Sequence, residues 1–189
     1  MFFLAITDIA ALDDPALARR IKRGDADAFK AFFERHHGVL YRYLRARGIA
    51  GAVCEDLIQN AFLMIWERRQ EIDEQKSLRA FLFKICHTRA LNHFRDTAKF
   101  TDAVPINDPV APSAPDRETD YALMQHTLRK AVEALPERRR AVFELCFMQE
   151  LTYREAAEAL SISIKTVENQ MGHALKTIRK AMAGYVRDA

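Results

Sequence analysis

Glycine and proline are scarce in this 189-residue chain, six of each, and there are three cysteines and a single tryptophan. No Asn-Gly or Asp-Gly turn separates two β-branched runs, so the usual hairpin signal is missing and strands are not expected. Three cysteines without regular spacing, Cys54, Cys86 and Cys146, exclude a disulfide framework and fit a reducing cytosol. No apolar stretch approaches the roughly 20 residues needed to span a bilayer. Met1 to Ile6 is apolar but stops at Asp8 with no basic residue before it, which makes a poor signal peptide; it reads as a frayed end or a small docking segment. The composition is otherwise that of a folded chain, 49% hydrophobic and 29% charged, and excludes collagen-like or wholly disordered classes.

The prolines that are present cluster. Pro105, Pro109, Pro112 and Pro115 fall between Thr101 and Asp120 with five acidic residues and no aromatic. Proline at this density prevents helix, and little apolar surface is left to pack, so residues 101–120 read as an extended acidic linker. Helical periodicity dominates on both sides. The expected fold is all-α, with a short extension at 1–16 and two small helical domains at 17–100 and 121–187. The formal net charge of +3 separates along these limits into +4 for residues 1–100, −4 for the linker and +3 for residues 121–189. Basic domains point modestly to nucleic acid, although a generic solvated surface accounts for the charge as well.

The segment Leu151 to Met182 carries the most information. Thr152-Tyr153-Arg154-Glu155 has capping-box spacing, and a short helix then runs to about Leu160. Ser161-Ile162-Ser163 interrupts it, with Ile162 placed to plug the corner and Ser163 to cap a second helix near Ile164. A short helix, a tight turn and a longer helix is the helix-turn-helix pattern. At about 100° per residue, Val167, Met171, Ala174, Leu175, Ile178, Ala181 and Met182 share one arc, the expected buried stripe. The opposite arc holds Lys165, Thr166, Asn169, Gly172, His173 and Lys176, flanked by Glu168 and Gln170. Asn pairs bidentately with adenine and Lys reaches guanine or phosphate, so this face suits a major groove. Any one of these residues alone fits a solvated face; the coincidence of cap, turn and stripe favours DNA. Leu128, Val132, Leu135, Ala141, Val142 and Leu145 supply supporting amphipathic segments, with Pro136 at a helix start. Arg138, Arg139 and Arg140 suit phosphate or plain solvent equally.

In the first domain, the helix expected from about Val53 to Arg68 is apolar around more than half its circumference. Only a thin face remains: Asp56, Gln59, Asn60, Leu63 and Glu67. A helix this apolar is central to its domain, and its polar strip meets either solvent or a partner. The next helix, about Leu78 to Lys99, places Leu78, Phe81, Leu82, Ile85 and Cys86 inward. Thr88, Asn92, Arg95 and Lys99 form an outer stripe, near Lys84, His87 and His93. Phe81, Phe83, Phe94 and Phe100 interleave with these bases, a mixture suited to unpaired bases, which stack on aromatics and planar cations; core packing of most of these phenylalanines is the plainer reading. No catalytic constellation stands out. Cys86 and Cys146 are expected in the core and Cys54 as structural, and His36-His37 lack the partners of a metal site.

These segments resemble a known family. Cys54-Glu55-Asp56-Leu57-Ile58-Gln59-Asn60-Ala61-Phe62-Leu63-Met64-Ile65-Trp66 is similar to the most characteristic segment of bacterial sigma factors. Arg79 to Cys86 followed by Asn92-His93-Phe94-Arg95 resembles the segment after it. Leu151 to Leu160 and Ser163 to Asn169 resemble the DNA-reading end. Order, spacing and linker resemble the two-domain extracytoplasmic-function (ECF) group of the sigma-70 superfamily, over about residues 17–185. The Lys165-Thr166-Val167-Glu168-Asn169 run resembles that group's iron-transport branch.

The resemblance implies region 2 at 17–100 and region 4 at 121–187, in a cytoplasmic transcription initiation factor without cofactor, metal or catalytic residues. It implies core RNA polymerase as partner, through its β′ clamp and β flap, together with promoter DNA and an anti-sigma factor. Asp56, Gln59, Asn60, Leu63 and Glu67 match the clamp-gripping surface. Gln70–Ser77 matches the loop that holds a flipped base of the −10 element. Ser77, Lys84, Thr88, Asn92, Arg95 and Lys99 fall on the side of the separated strand. Lys165, Thr166, Glu168, Asn169, Gln170, His173 and Lys176 fall on the side of the −35 duplex. The linker is expected to thread toward the RNA exit path. Three positions depart from the family: Asn60 stands where Glu is usual, Phe81 where Trp is frequent, and Ser161 where Gly often takes the turn. The residues themselves also admit a stand-alone helix-turn-helix repressor, or a regulator using the Asp56–Glu67 strip for another protein.

Overall fold

The computed structural model describes residues 9–100, 120–183 and 185. The acidic linker and the first eight residues therefore lie outside the described residues. Among these there are eight α-helices and no strand, in two compact units, one on either side of residues 107 and 108.

The first unit holds α1 (Asp14–Lys22), α2 (Ala26–Arg45), α3 (Gly51–Glu67) and α4 (Leu78–Phe100). Asp13 caps α1 by accepting from the Ala16 N–H at 2.8 Å. The chain reverses at Gly24, whose φ of +85° an L side chain rarely adopts. Asp25 then caps α2, accepting from the Asp27 and Ala28 N–H groups, and takes Arg20 Nε at 2.7 Å. These backbone bonds, Ala28 first, hold its carboxyl below the usual range despite desolvation.

The core sits between α2, α3 and α4. Phe33 meets Phe62 with ring centroids 4.8 Å apart, and Phe29 meets Trp66 at 4.9 Å. Gly51 opens α3, two residues before the expected start, and a Cβ there would stand only 2.9 Å from Tyr41 Oη. His36 is buried, with Nε2 3.0 Å from Asp14 Oδ2. Arg35 donates to the same carboxylate and to the Leu12 carbonyl, which fastens the start of α1 to α2.

The second unit holds α5 (Asp120–Glu133), α6 (Glu137–Phe143), α7 (Tyr153–Leu160) and α8 (Ile164–Ala181). Pro136 stands immediately before α6, as its fixed φ favours. A π-helical turn, Glu144–Met148, continues α6 and was not legible in the sequence. It buries Leu145, with Glu144 beside Arg140 Nε at 3.9 Å, and leaves Phe147 and Met148 exposed. Cys146, expected in the core, is half-buried, lying in this turn between buried Leu145 and exposed Phe147. α8 packs against α5, α6 and α7 through Val167, Met171, Ala174 and Ile178. Ala181, expected on this stripe, is exposed because it lies at the helix end, beyond that packed stretch.

Candidate core-binding and nucleic-acid interfaces

α3 is buried along Cys54, Ile58, Ala61, Phe62 and Ile65. The five residues of the predicted strip, Asp56, Gln59, Asn60, Leu63 and Glu67, are all exposed along its remaining face. Leu63 is 52% accessible, an apolar side chain in solvent at the middle of a polar strip. Asn60 engages its own helix: its Nδ2 donates to the Asp56 carbonyl at 2.7 Å, one helical turn back. Nearby, His37 Nε2 and Glu55 Oε2 lie 2.7 Å apart and tie α2 to α3.

The Gln70–Ser77 segment begins in a short 3-10 turn, Arg69–Glu71, and then crosses to α4. Asp73 accepts from the Gln75 N–H at 3.0 Å and pairs with Lys76 at 3.3 Å; these bonds hold its carboxyl below the usual range. Ser77 Oγ accepts from the Ala80 N–H at 3.1 Å, so this predicted DNA contact caps α4.

Along α4, Lys84, Thr88, Asn92 and Arg95 are exposed, as expected. The side chain of Lys99 lies outside the described residues. Phe81, expected inward, is 41% accessible. The reason is Phe83: its ring meets the edge of Tyr43 at 5.6 Å and rotates the buried face of α4 toward Phe83 and Ala90. Phe81 therefore falls on the outer stripe, and Leu91, also exposed, falls there too. At 100° per residue these two lie within one arc with Lys84, Thr88, Asn92 and Arg95. Phe94 is exposed as well, so among the described side chains of Phe81, Phe83 and Phe94 only Phe83 is core.

Behind this stripe, the Tyr43 hydroxyl and His87 Nδ1 share a hydrogen bond at 3.0 Å, and Arg47 lies over the Tyr43 ring at 4.5 Å. Burial, assisted by the Arg47 charge, pushes His87 down to about 4, so it is neutral near pH 7.

The helix-turn-helix forms as its residues predict. Thr152 Oγ1 accepts from the Glu155 N–H at 3.2 Å, and Glu155 Oε2 accepts from the Thr152 N–H at 2.9 Å, a complete capping box. Ser161 ends α7 at φ 55°, ψ 43°, the left-handed conformation in which glycine is usual. Ser163 Oγ accepts from the Thr166 N–H at 3.0 Å and starts α8. On the outer face Lys165, Glu168, Asn169, His173 and Lys176 are exposed, whereas Thr166 and Gln170 are half-buried. The Thr166 hydroxyl is held by Ser163 Oγ at 2.8 Å, and Lys165 Nζ pairs with Glu168 Oε2 at 3.1 Å. Gly172 faces open space.

The cysteines carry no reactive signature. Cys54 donates Sγ–H to the Ile49 carbonyl at 3.4 Å, and burial raises its thiol; burial pushes Cys86 to about 12 and Cys146 to about 11. Among the described residues, no three His, Cys, Asp or Glu side chains gather as metal ligands, and no helix is long and apolar enough to cross a membrane.

Two all-helical units, the second built around a doubly capped helix-turn-helix, define a helix-turn-helix protein. The family model for Sigma-70 region 2 matches residues 32–100, and that for Sigma-70, region 4 matches residues 125–178. The RNA polymerase sigma factor NccH of Alcaligenes xylosoxydans xylosoxydans is 30% identical over 171 residues, 85% of this chain and 90% of that protein. The ECF RNA polymerase sigma factor SigK of Mycobacterium tuberculosis is 29% identical over 179 residues, 90% and 94% of the two chains. The fold is that of CnrH, solved in complex with the cytosolic domain of CnrY, at a TM-score of 0.63 and 24% identity, covering 93% of this chain and 99% of that one. It is also that of RpoE from Bartonella quintana, solved with the anti-sigma factor NepR, at 0.66 and 19%, covering 85% and 98%. The chain belongs to the sigma-70 family of RNA polymerase sigma factors, in its extracytoplasmic-function group, whose members direct transcription initiation at promoters.

Proposed function

We propose that each exposed face described above serves one step of promoter-specific initiation. Asp56, Gln59, Leu63 and Glu67 grip the clamp of core RNA polymerase, with Leu63 as the apolar anchor and Asn60 contributing least. Residues 17–100 form the region that binds core and captures the −10 strand. Gln70–Ser77 holds an extruded base; Lys84, Thr88, Asn92, Arg95 and Lys99 follow the separated strand, and Ser77 shapes the loop by capping α4. Residues 121–187 form the −35 reader, in which Asn169 and His173 face base edges and Lys165, Glu168, Gln170 and Lys176 flank them. Thr166 acts indirectly, by fixing the start of α8. The chain has no catalytic role of its own and works in the cytoplasm, with its linker, residues 101–120, beside the path of nascent RNA.

The observation that carries this reading is Leu63, exposed on the most apolar helix of its unit. An unpartnered leucine ringed by polar residues has the composition of an interface centre. The complex of RpoE with the anti-sigma factor NepR, beside that of CnrH with the cytosolic domain of CnrY, supports an anti-sigma partner here. Run-off transcription with purified core polymerase and a promoter library tests the proposal. Promoter-dependent transcripts that require this chain are expected. Tight duplex binding without polymerase, and no transcript, would establish a stand-alone repressor instead.

A further inference from the structure

The loop proposed to hold an extruded base is acid-rich. Residues 70–77 contain Glu71, Asp73 and Glu74 against the single cation Lys76. A DNA strand entering such a loop brings phosphates toward carboxylates, which repel them. Cations must come from elsewhere, and the end of α1 is in place to supply them. Lys22 Nζ lies 3.4 Å from Glu74 Oε1, and its charge also acts on Asp73. One residue after Arg23, the place a Cβ would take on Gly24 lies 3.7 Å from Arg69 Nε, and Arg69 opens the loop. Arg69 is itself held over the Trp66 ring at 4.7 Å and donates to the Trp66 carbonyl at 2.8 Å, so the junction of α1 with the loop is braced on α3. Arg23 is exposed and makes no ion pair among the described residues.

Cations at a helix C-terminus ordinarily balance the helix dipole. Here Arg20 is already neutralised by Asp25. Lys22 instead reaches across to a different element and pairs with a carboxylate half-exposed at the loop surface.

We infer that Lys22 and Arg23 are phosphate-binding residues for the single strand held by this loop, and that Glu74 occupies Lys22 in place of a phosphate until DNA arrives. The inference rests on the reading of the loop and α4 as the single-strand surface. On binding, Lys22 exchanges the Glu74 carboxylate for a phosphate oxygen, and Arg23 takes a neighbouring phosphate. These contacts are blind to base identity.

The probe is a fluorescein-labelled single-stranded oligonucleotide of random sequence, titrated with the full chain by anisotropy across a salt series. Each neutralised phosphate contributes about −0.7 to the slope of log affinity on log salt for single strands. Lys22→Ala and Arg23→Ala are each expected to flatten the slope by about 0.7, which is about fivefold weaker binding at about 0.1 M salt relative to about 1 M. Glu74→Gln should act in the opposite direction and tighten binding, because it frees Lys22 and removes a like charge. A pair that only braces the loop predicts otherwise: Lys22→Ala and Glu74→Gln would weaken binding alike with the slope unchanged, and that result overturns the inference. An Asn92→Ala, Arg95→Ala double variant is the control for the underlying reading. If it loses affinity while Lys22→Ala and Arg23→Ala bind as the unmodified chain does, the inference is wrong and the reading stands. If the unmodified chain does not bind the probe, or the control variant binds as tightly, the single-strand reading itself fails and the inference with it. Circular dichroism of every variant confirms that the helices are intact.

Discussion

Asn60 Nδ2 donates to the Asp56 carbonyl at 2.7 Å, so a side chain in the middle of the proposed core-binding strip uses one of its donors on its own helix. The family's usual Glu at this place cannot make that bond, since a carboxylate only accepts. Asn60→Ala is therefore expected to change core polymerase affinity by less than about threefold, within about 0.6 kcal/mol, the range of an ordinary surface substitution. Leu63→Arg is expected to weaken it by about 30-fold or more, at about 2 kcal/mol for the loss of an anchor. Surface plasmon resonance against immobilised core measures both. Equal losses would mean that Asn60 leaves the helix on binding.

The Tyr43–His87 pair predicts a pH dependence. The folded pKa of His87 is about 4, below the 6.5 of the unfolded chain. Between these values the unfolded state binds the proton and the folded state does not, so stability rises with pH. The contribution is full above about pH 6.5 and is lost as pH falls toward 4, up to about 3 kcal/mol. His87→Gln should flatten the urea midpoint across that window. An unchanged slope in the variant would assign the acid sensitivity to another group.

Ser161 holds a left-handed backbone at φ 55°. That conformation costs an L residue about 1–2 kcal/mol, which glycine avoids at some expense in unfolded-chain entropy. Ser161→Gly should stabilise the second unit by up to about 1 kcal/mol, a rise of several degrees in its unfolding midpoint. A lower midpoint would show that the Ser161 side chain supplies more than the turn costs.

On α8, Lys165 and Glu168 neutralise each other at 3.1 Å, while Asn169 stands exposed beside them. Asn169→Ala is expected to relax one −35 position by about 1–3 kcal/mol and leave the others. Glu168→Ala frees Lys165, and total duplex affinity should rise while discrimination falls. Selection from a randomised −35 library reads both. A uniform loss of affinity on Asn169→Ala would make it a phosphate contact.

Much of this was legible in the residues because local chemistry and periodicity agreed. The capping box at Thr152, the cap at Ser163 and the buried stripe from Val167 to Ile178 follow from side-chain hydrogen bonding and the 3.6-residue repeat alone. The exposed strip on α3 was legible because so little of that helix is polar. The orientation of α4 was not. Phe81 and Phe83 fit an inward face equally well, and only the packing of Phe83 on Tyr43, 40 residues away in sequence, decides between them. The same holds for the π-helical turn at Glu144–Met148, which no residue pattern announces, and for Lys22 beside Glu74, which meet only in the folded unit. Asn60 was visible as a departure from the family, but its bond to Asp56 was not.

The two caps of the helix-turn-helix also bear on how affinity for DNA is distributed. Thr152, Glu155 and Ser163 satisfy the starts of α7 and α8 from within the chain, so neither helix waits for a phosphate to complete it. A reader that is ordered before contact loses little conformational entropy on docking. It should therefore associate without a slow folding phase, whatever the promoter.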